Sequence, residues 1–278
     1  MNGIKKVIES VKEAIERFSL LEKGEKLFIA ISGGKDSLSL LDILWRLGYE
    51  VQGFFIDLGI KGYSKPSKEA CERFCEERGI PLSIIDLRDE LGITIEEARK
   101  RTGREPCSVC GMVRRYLMNT IPLRHGVETI ATGHNLDDEV NVIFWNIIRW
   151  DLDSLARQSP VLPRSHHRFT KKIKPLCLTY EKDVANYAQA VGIKPVEERC
   201  PLSRGATLLK LKEFLNEIEE KNPGIKRRFY EGFLARRERW ESRANVELRE
   251  CALCSQPTTG EICSFCRLKE RVKEGKRG

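Results

Sequence analysis

KLFIAISGGKDS (residues 26–37) decides the fold. Its opening apolar run is the kind that makes a short strand buried on both faces. SGGKDS (32–37) follows that run directly and opens a helix-patterned stretch. Gly33 and Gly34 permit tight backbone approach, and a helix N-terminus presents unpaired N–H groups carrying partial positive charge. Ser32 and Ser37 add hydroxyl donors and Lys35 a cation, so the segment reads as a phosphate cradle. It is not the GxxxxGK[ST] arrangement.

Working outward, strand and helix patterns alternate. Ile4, Val7, Ile8, Val11, Ile15 and Phe18 recur at helical spacing and predict an amphipathic helix over 3–20. Beyond the loop come helix 36–47, strand 50–57, helix 66–78 and strand 81–87. A less regular stretch, 92–106, leads to helix 108–119, strand 128–133, helix 136–149, strand 171–176 and helix 180–191. Such alternation predicts an α/β fold with a Rossmann-like parallel sheet and ligands beyond the carboxyl ends of its strands. Residues 151–170 lack periodicity and read as a long loop. From 206 to about 246 the pattern is helical, interrupted at Asn222-Pro223-Gly224. The expected division is a nucleotide-binding catalytic domain (1–205), a basic helical extension (206–248) and a small cysteine finger with a basic tail (249–278).

The 278 residues, 41% hydrophobic and 32% charged, describe a soluble globular chain. No apolar run approaches the roughly 18 residues needed to span a bilayer, and MNGIKKVIESVKEAIERF is too charged for a secretory signal. A cytoplasmic protein without a membrane partner is expected. Net charge is +8, and residues 221–278 hold 15 Lys and Arg against eight Asp and Glu. That asymmetry suits nucleic acid, or a well-solvated helical surface.

Ten cysteines in such a chain point to metal or redox chemistry rather than disulfides. Cys251, Cys254, Cys263 and Cys266 form two CxxC pairs separated by SQPTTGEI, a four-cysteine finger with tetrahedral zinc spacing. Basic residues flank it: Lys226, Arg227, Arg228, Arg236, Arg237, Arg239 and Arg243 before, Arg267, Lys269, Arg271 and Lys273 after. Trp240 and Phe265 are candidates to stack on bases, with core packing the default. Cys107 and Cys110 stand at a helix start, a setting that lowers thiol pKa. A lone CxxC fits a redox pair, half a zinc site or part of an iron–sulfur site. Cys200 has no partner nearby in sequence, so two plus one gives three thiolates and one open iron position, favouring a catalytic [4Fe-4S] cluster. Cys71 and Cys75 read as core, and Cys177 as a strand end without a role. His166 and His167 lie in the long loop with Arg164 and Arg168, facing RNA or solvent.

TGHNLDDE (132–139) repeats the strand-to-helix setting, and its three consecutive acids exceed what helix capping requires. SGGKDS resembles the PP-loop signature of the N-type ATP pyrophosphatases. That resemblance implies ATP and magnesium: Asp36 on the metal, Ala30 and Ile56 at the adenosine through their backbones, Gly133 at the nucleotide and Asp138 as catalytic acid. The PP-loop, the CSxCGxxxRY segment (107–116), TGHNxDDE and Cys200-Pro201 together resemble the tRNA 2-thiolation enzymes over nearly the whole chain. The resemblance implies adenylation of the C2 oxygen of a tRNA pyrimidine, then its replacement by sulfur at Cys107, Cys110 and Cys200, with Arg114 and Asp138 assisting. Arg114 replaces the lysine of the 2-thiouridine branch, and no cysteine precedes Cys71, where that branch begins with a zinc module. The target base therefore stands between uridine and cytidine. The resemblance also implies a sulfur donor (a ubiquitin-like carrier, a cysteine desulfurase or sulfide), and a homodimer is common in the family. Other readings are a persulfide relay without a cluster, a zinc-dependent RNA-binding protein with a vestigial nucleotide fold, and an ammonia-using ligase.

Overall fold

A computed structural model describes residues 2–198, 200–203, 207–237 and 247–274. Trp240, Arg239 and Arg243 lie outside them. The first half runs α1 (Asn2–Arg17), β1 (Lys26–Ile31), α2 (Lys35–Arg46), β2 (Glu50–Asp57), α3 (Ser64–Arg78), β3 (Leu82–Asp86), α4 (Leu87–Leu91), α5 (Ile95–Thr102) and α6 (Pro106–Arg124). There follow β4 (Thr129–Thr132), α7 (Leu136–Ile148), α8 (Leu152–Ala156), β5 (Val161–Leu162), β6 (Lys171–Ile173) and α9 (Glu181–Ala190). A 3-10 turn (Pro201–Ser203), α10 (Thr207–Lys221), α11 (Ile225–Leu234), the β7–β8 hairpin (Arg249–Glu250, Pro257–Thr258) and α12 (Ser264–Glu274) complete the described chain.

The main sheet has the order β3-β2-β1-β4-β6-β5, parallel except for the β5–β6 pair. Strand order reverses between β1 and β4, the switch point at which crossovers leave to opposite sides and a crevice opens. Side chains of β1 alternate. Leu27, Ile29 and Ile31 enter a core shared with α1, α2, α7 and α9, whereas Phe28 enters the opposite core with Phe54, Ile130 and α6. Both faces are thus buried, as the unbroken apolar run requires.

Several stretches differ from the sequence expectation. Residues 92–106 contain α5, started by a capping box in which Thr94 and Glu97 satisfy each other's backbone N–H. Residues 151–170 contain α8, capped by Asp151, and β5, which adds the antiparallel edge. The strand expected over 171–176 ends at Ile173, so Cys177 lies in the following turn, fully buried. Pro106 at the first position starts α6 early, and the helix runs on to Arg124. No described helix is long and apolar enough to cross a membrane.

Candidate active site

A cavity of about 240 Å³ opens at the carboxyl ends of β1, β2 and β4. Ala30, Ser32, Gly34, Asp36, Ser37, Ile56 and Gly133 line it, as does Arg114 from α6. Gly33 has φ +78°, and a Cβ there would lie 2.8 Å from the Ser67 carbonyl oxygen, so only glycine lets the loop pass beneath α3. Gly133 is set by space: a Cβ would meet the Ser37 nitrogen at 2.8 Å. The Ser37 hydroxyl braces the loop, accepting from the Ser32 N–H at 3.1 Å and donating to the Gly34 carbonyl at 3.0 Å. Gly34 caps α2 with no side chain over the helix end, leaving the first turn of amides for an anion.

Beside the cradle, six side chains close a ring. Lys35 Nζ lies 2.9 Å from Asp36 and 2.7 Å from Glu181; Lys212, on α10, lies 2.8 Å from both Glu181 and Asp138. Asn135 completes the ring, its Nδ2 donating to Asp36 at 3.1 Å and its backbone N–H to Asp138 at 3.2 Å. Burial, opposed by Lys35 and reinforced by Asp138 and Glu181, raises the Asp36 pKa. Glu181 goes the other way: burial works against its charge, but hydrogen bonds from Lys212 and Lys35 hold it at about 2. Lys35 does not line the 240 Å³ cavity; it lines a neighbouring one of about 660 Å³ between α9, α10 and α11.

The three acids of 137–139 divide their labour. Asp138 shares a capping box with Asn135, so the bland role and the expected catalytic one fall on the same residue. Asp137 is paired with Lys226 at 2.5 Å, the two being 7% and 3% exposed. Glu139 pairs with Lys174 at 2.7 Å. Lys226 is therefore a core cation, not part of a basic grip, and Arg227 is tied to Glu13 and Glu231. Arg228, Arg236, Arg267, Arg271 and Lys273 remain exposed. His134 hydrogen-bonds Thr132 at 2.9 Å and lines the cavity.

Cys107 and Cys110 occupy the first turns of α6, and Cys107 Sγ lies 3.7 Å from the Leu202 carbonyl in the turn after Cys200. Cys110 feels the charges of Arg114, Cys200 and Cys107, so the structure gathers all three sulfurs at one helix end. The Cys110 pKa is raised, contrary to the sequence expectation, because burial outweighs Arg114 in the second helical turn. Arg114 lines the nucleotide cavity with its charge acting on the Cys110 thiol, and its Nε is buried without a hydrogen bond. Three neighbouring thiols with the Arg114 charge beside them are a donor set that fits an iron–sulfur cluster with one site unfilled by protein.

Cys251, Cys254, Cys263 and Cys266 present sulfurs within 4.8 Å of one another, a donor set that fits one tetrahedral ion. The finger is seated on α6: Phe265 stacks on Tyr116 at 3.8 Å between centroids, and Tyr116 and Cys254 line one cavity together. Phe265 thus packs in the core rather than facing bases. Cys71 and Cys75 are buried as expected, and burial pushes the Cys75 thiol to about 11. The His166 and His167 rings lie 4.3 Å apart with their planes tilted by 31°, and both approach Glu250 closely. Asn135, Glu181 and Lys212 escaped the sequence reading; the first had a trace in the N-x-x-D spacing of a cap, the others none.

A switch-point crevice with a glycine-serine cradle and paired aspartates defines a PP-loop nucleotide-binding protein. The PP-loop domain family matches residues 4–201. The chain is 43% identical to the tRNA-5-methyluridine(54) 2-sulfurtransferase of Pyrococcus horikoshii over 95% of its length and 84% of the relative's. It is 43% identical to the enzyme of the same name from Thermotoga maritima, over 96% and 88%. Among solved structures it resembles the U34-tRNA thiolase NcsA from Methanococcus maripaludis with its [4Fe-4S] cluster, with TM-score 0.83 and 28% identity, covering 97% of this chain and 88% of that one. This chain belongs to the tRNA 2-thiolation sulfurtransferase family of PP-loop enzymes.

Proposed function

We propose that this enzyme adenylates the C2 oxygen of a tRNA uridine with ATP and replaces that oxygen by sulfur. The observation that carries the reading is Arg114, which lines the nucleotide cavity while its charge acts on Cys110 of the three-cysteine group, so activation and sulfur delivery share one side chain. The relatives named for 5-methyluridine at position 54 support uridine over cytidine, and that position over others.

The C2 oxygen attacks the α-phosphate, the bond to the bridging oxygen breaks, and pyrophosphate leaves. Ser32, Gly34 and Ser37 would hold the phosphates through loop amides and hydroxyls, and Asp36 would hold the magnesium that offsets their charge. Arg114 and Asp138 stand where charge develops, Asp138 fixed in advance by Asn135 with Lys212. Sulfur then adds at C2, and AMP departs with the former C2 oxygen. Cys107, Cys110 and Cys200 would hold a [4Fe-4S] cluster, which supplies an open iron position for the incoming sulfur. Cys251, Cys254, Cys263 and Cys266 would hold a structural zinc ion. The exposed Arg228, Arg236, Arg267 and Arg271 supply the charge for tRNA, and of the divisions 1–205, 206–248 and 249–278 the second both carries part of that charge and reaches the catalytic ring through Lys212. A carrier protein, a desulfurase or free sulfide provides the sulfur, in the cytoplasm where tRNA is found.

The test is anaerobic purification with iron, sulfide and zinc analysis on wild type and Cys200→Ala, alongside AMP release with tRNA. About four irons and about one zinc per chain, with iron lost and zinc kept in the variant, are expected. Zinc without iron in an active wild type would overturn the cluster and leave a persulfide relay.

A further inference from the structure

Lys35 occupies the middle of the phosphate loop, between Gly34 and Asp36, which both line the nucleotide cavity. Its own ammonium is turned to the neighbouring cavity and held there by Asp36 and Glu181. Glu181 opens α9, and its two oxygens are divided: Oε1 takes Lys35 at 2.7 Å and Oε2 takes Lys212 at 2.8 Å. Lys212 is in turn shared with Asp138 at 2.8 Å. Both Lys35 and Glu181 are about one-third exposed, at 30% and 31%, so neither is locked in the core. A flexible ammonium on a long stem, carried by the residue between two that line the nucleotide cavity, is a mobile cation.

We propose that Glu181 is a positioning residue that parks Lys35 away from the phosphates while the site is empty, and that Lys212 sets how firmly it does so. A carboxylate divided between two ammonium groups holds each less tightly than it would hold one alone. Removing Lys212 leaves Glu181 and Asp138 charged with Lys35 as the nearest cation, so parking tightens. Neutralising Glu181 frees Lys35 for the triphosphate, so parking weakens. Two residues in direct contact therefore act on nucleotide affinity with opposite signs, which general damage to the site would not produce. The inference rests on the nucleotide reading of the loop, and it makes α10, outside the α/β core, a contributor to that site.

The experiment measures binding of a non-hydrolysable ATP analogue with magnesium to the full chain by calorimetry, at one pH and salt concentration. Glu181→Gln is expected to tighten binding about fivefold, and Lys212→Met to weaken it by about as much. Lys212→Arg should restore wild-type affinity, and in a Lys35→Met background the Glu181→Gln effect should vanish. If Glu181→Gln yields no folded chain, Glu181→Asp, whose shorter reach cannot span both lysines, should tighten binding in the same direction. A wild type that binds the analogue while both variants weaken, or neither moves, overturns the parking role. A wild type that binds no analogue overturns the nucleotide reading and the parking role with it.

Discussion

The Val196 N–H donates a 2.9 Å hydrogen bond to the carbonyl of Gly33. Gly33 is the tightest residue of the phosphate loop, and Val196 stands four positions before Cys200. One backbone bond therefore joins the nucleotide cradle to the strap that carries the third cysteine. Val196→Pro removes the donor and leaves a buried carbonyl unpaired, a loss of about 1–3 kcal/mol. We expect it to lower both nucleotide affinity and bound iron, whereas Val196→Ala leaves both near wild type. Calorimetry and iron analysis on the two variants check this, and a fall in only one quantity would show the strap and loop to be independent.

Gly133→Ala places a methyl group 2.8 Å from the Ser37 nitrogen and 2.9 Å from its Cα. These are backbone atoms at the start of α2 and cannot move as a side-chain tip would. The expected result is at least a hundredfold loss of ATP turnover, about 2.7 kcal/mol in the barrier, with a smaller loss of stability. Steady-state kinetics and thermal unfolding separate the two effects.

The finger and the three-cysteine group share α6, so losses at the two should not be symmetrical. Cys251, Cys263 and Cys266 pack in one core with Val109, Val113 and Leu117 of that helix. Cys200→Ala should release iron and keep zinc, because Cys200 borders that core without filling it. Cys263→Ala should release zinc and, as α6 loses its seat, iron as well. Metal analysis of both variants, with far-ultraviolet dichroism, decides the point.

Lys172 carries a charge in an unfavourable place. Burial, with Arg115 adding, lowers its pKa from 10.5 to about 8. Between those values the unfolded chain holds a proton that the folded chain has released, so stability rises with pH across that window and the full penalty applies below it. Lys172→Met should therefore stabilise the chain at pH 7 by about 1–3 kcal/mol, an advantage that disappears above roughly pH 10.5. Asn119 keeps the Thr170 N–H and hydroxyl as donors after the change. Urea unfolding at pH 7 and pH 10.5 tests both sign and window.

What could be read in advance was whatever local pattern dictates. The apolar run at 27–31 fixed a two-sided strand, and the glycines at 33 and 133 announced close backbone approach that the geometry then explains. Thr94 and Glu97 carried a helix start in plain view, but the short, polar α5 they begin has little periodicity to reveal it. Pairings over long separations were not legible. Lys226 looks like any member of a basic run until Asp137 appears opposite it, 89 positions away. Glu181 and Lys212 sit in helices whose spacing is ordinary, and their meaning comes only from the packing of α10 on α7 and the start of α9. The lowered thiol pKa expected at the start of α6 failed at Cys110 because the helix end is buried there.

Helix α6 has a consequence for how this chain can change in length. Within ten residues it carries Cys107 and Cys110 at the cysteine strap, Arg114 at the nucleotide cavity and Tyr116 against the finger. A helix turns about 100° per residue, so one inserted residue between Cys110 and Tyr116 would swing the finger's seat away from the thiols by more than a quarter turn. No neighbouring loop can absorb that rotation, since each target belongs to a different part of the fold. The segment from 107 to 116 should therefore admit substitutions but no insertion or deletion, while the Asn222-Pro223-Gly224 corner between α10 and α11 bears only on its own two helices and is free to lengthen.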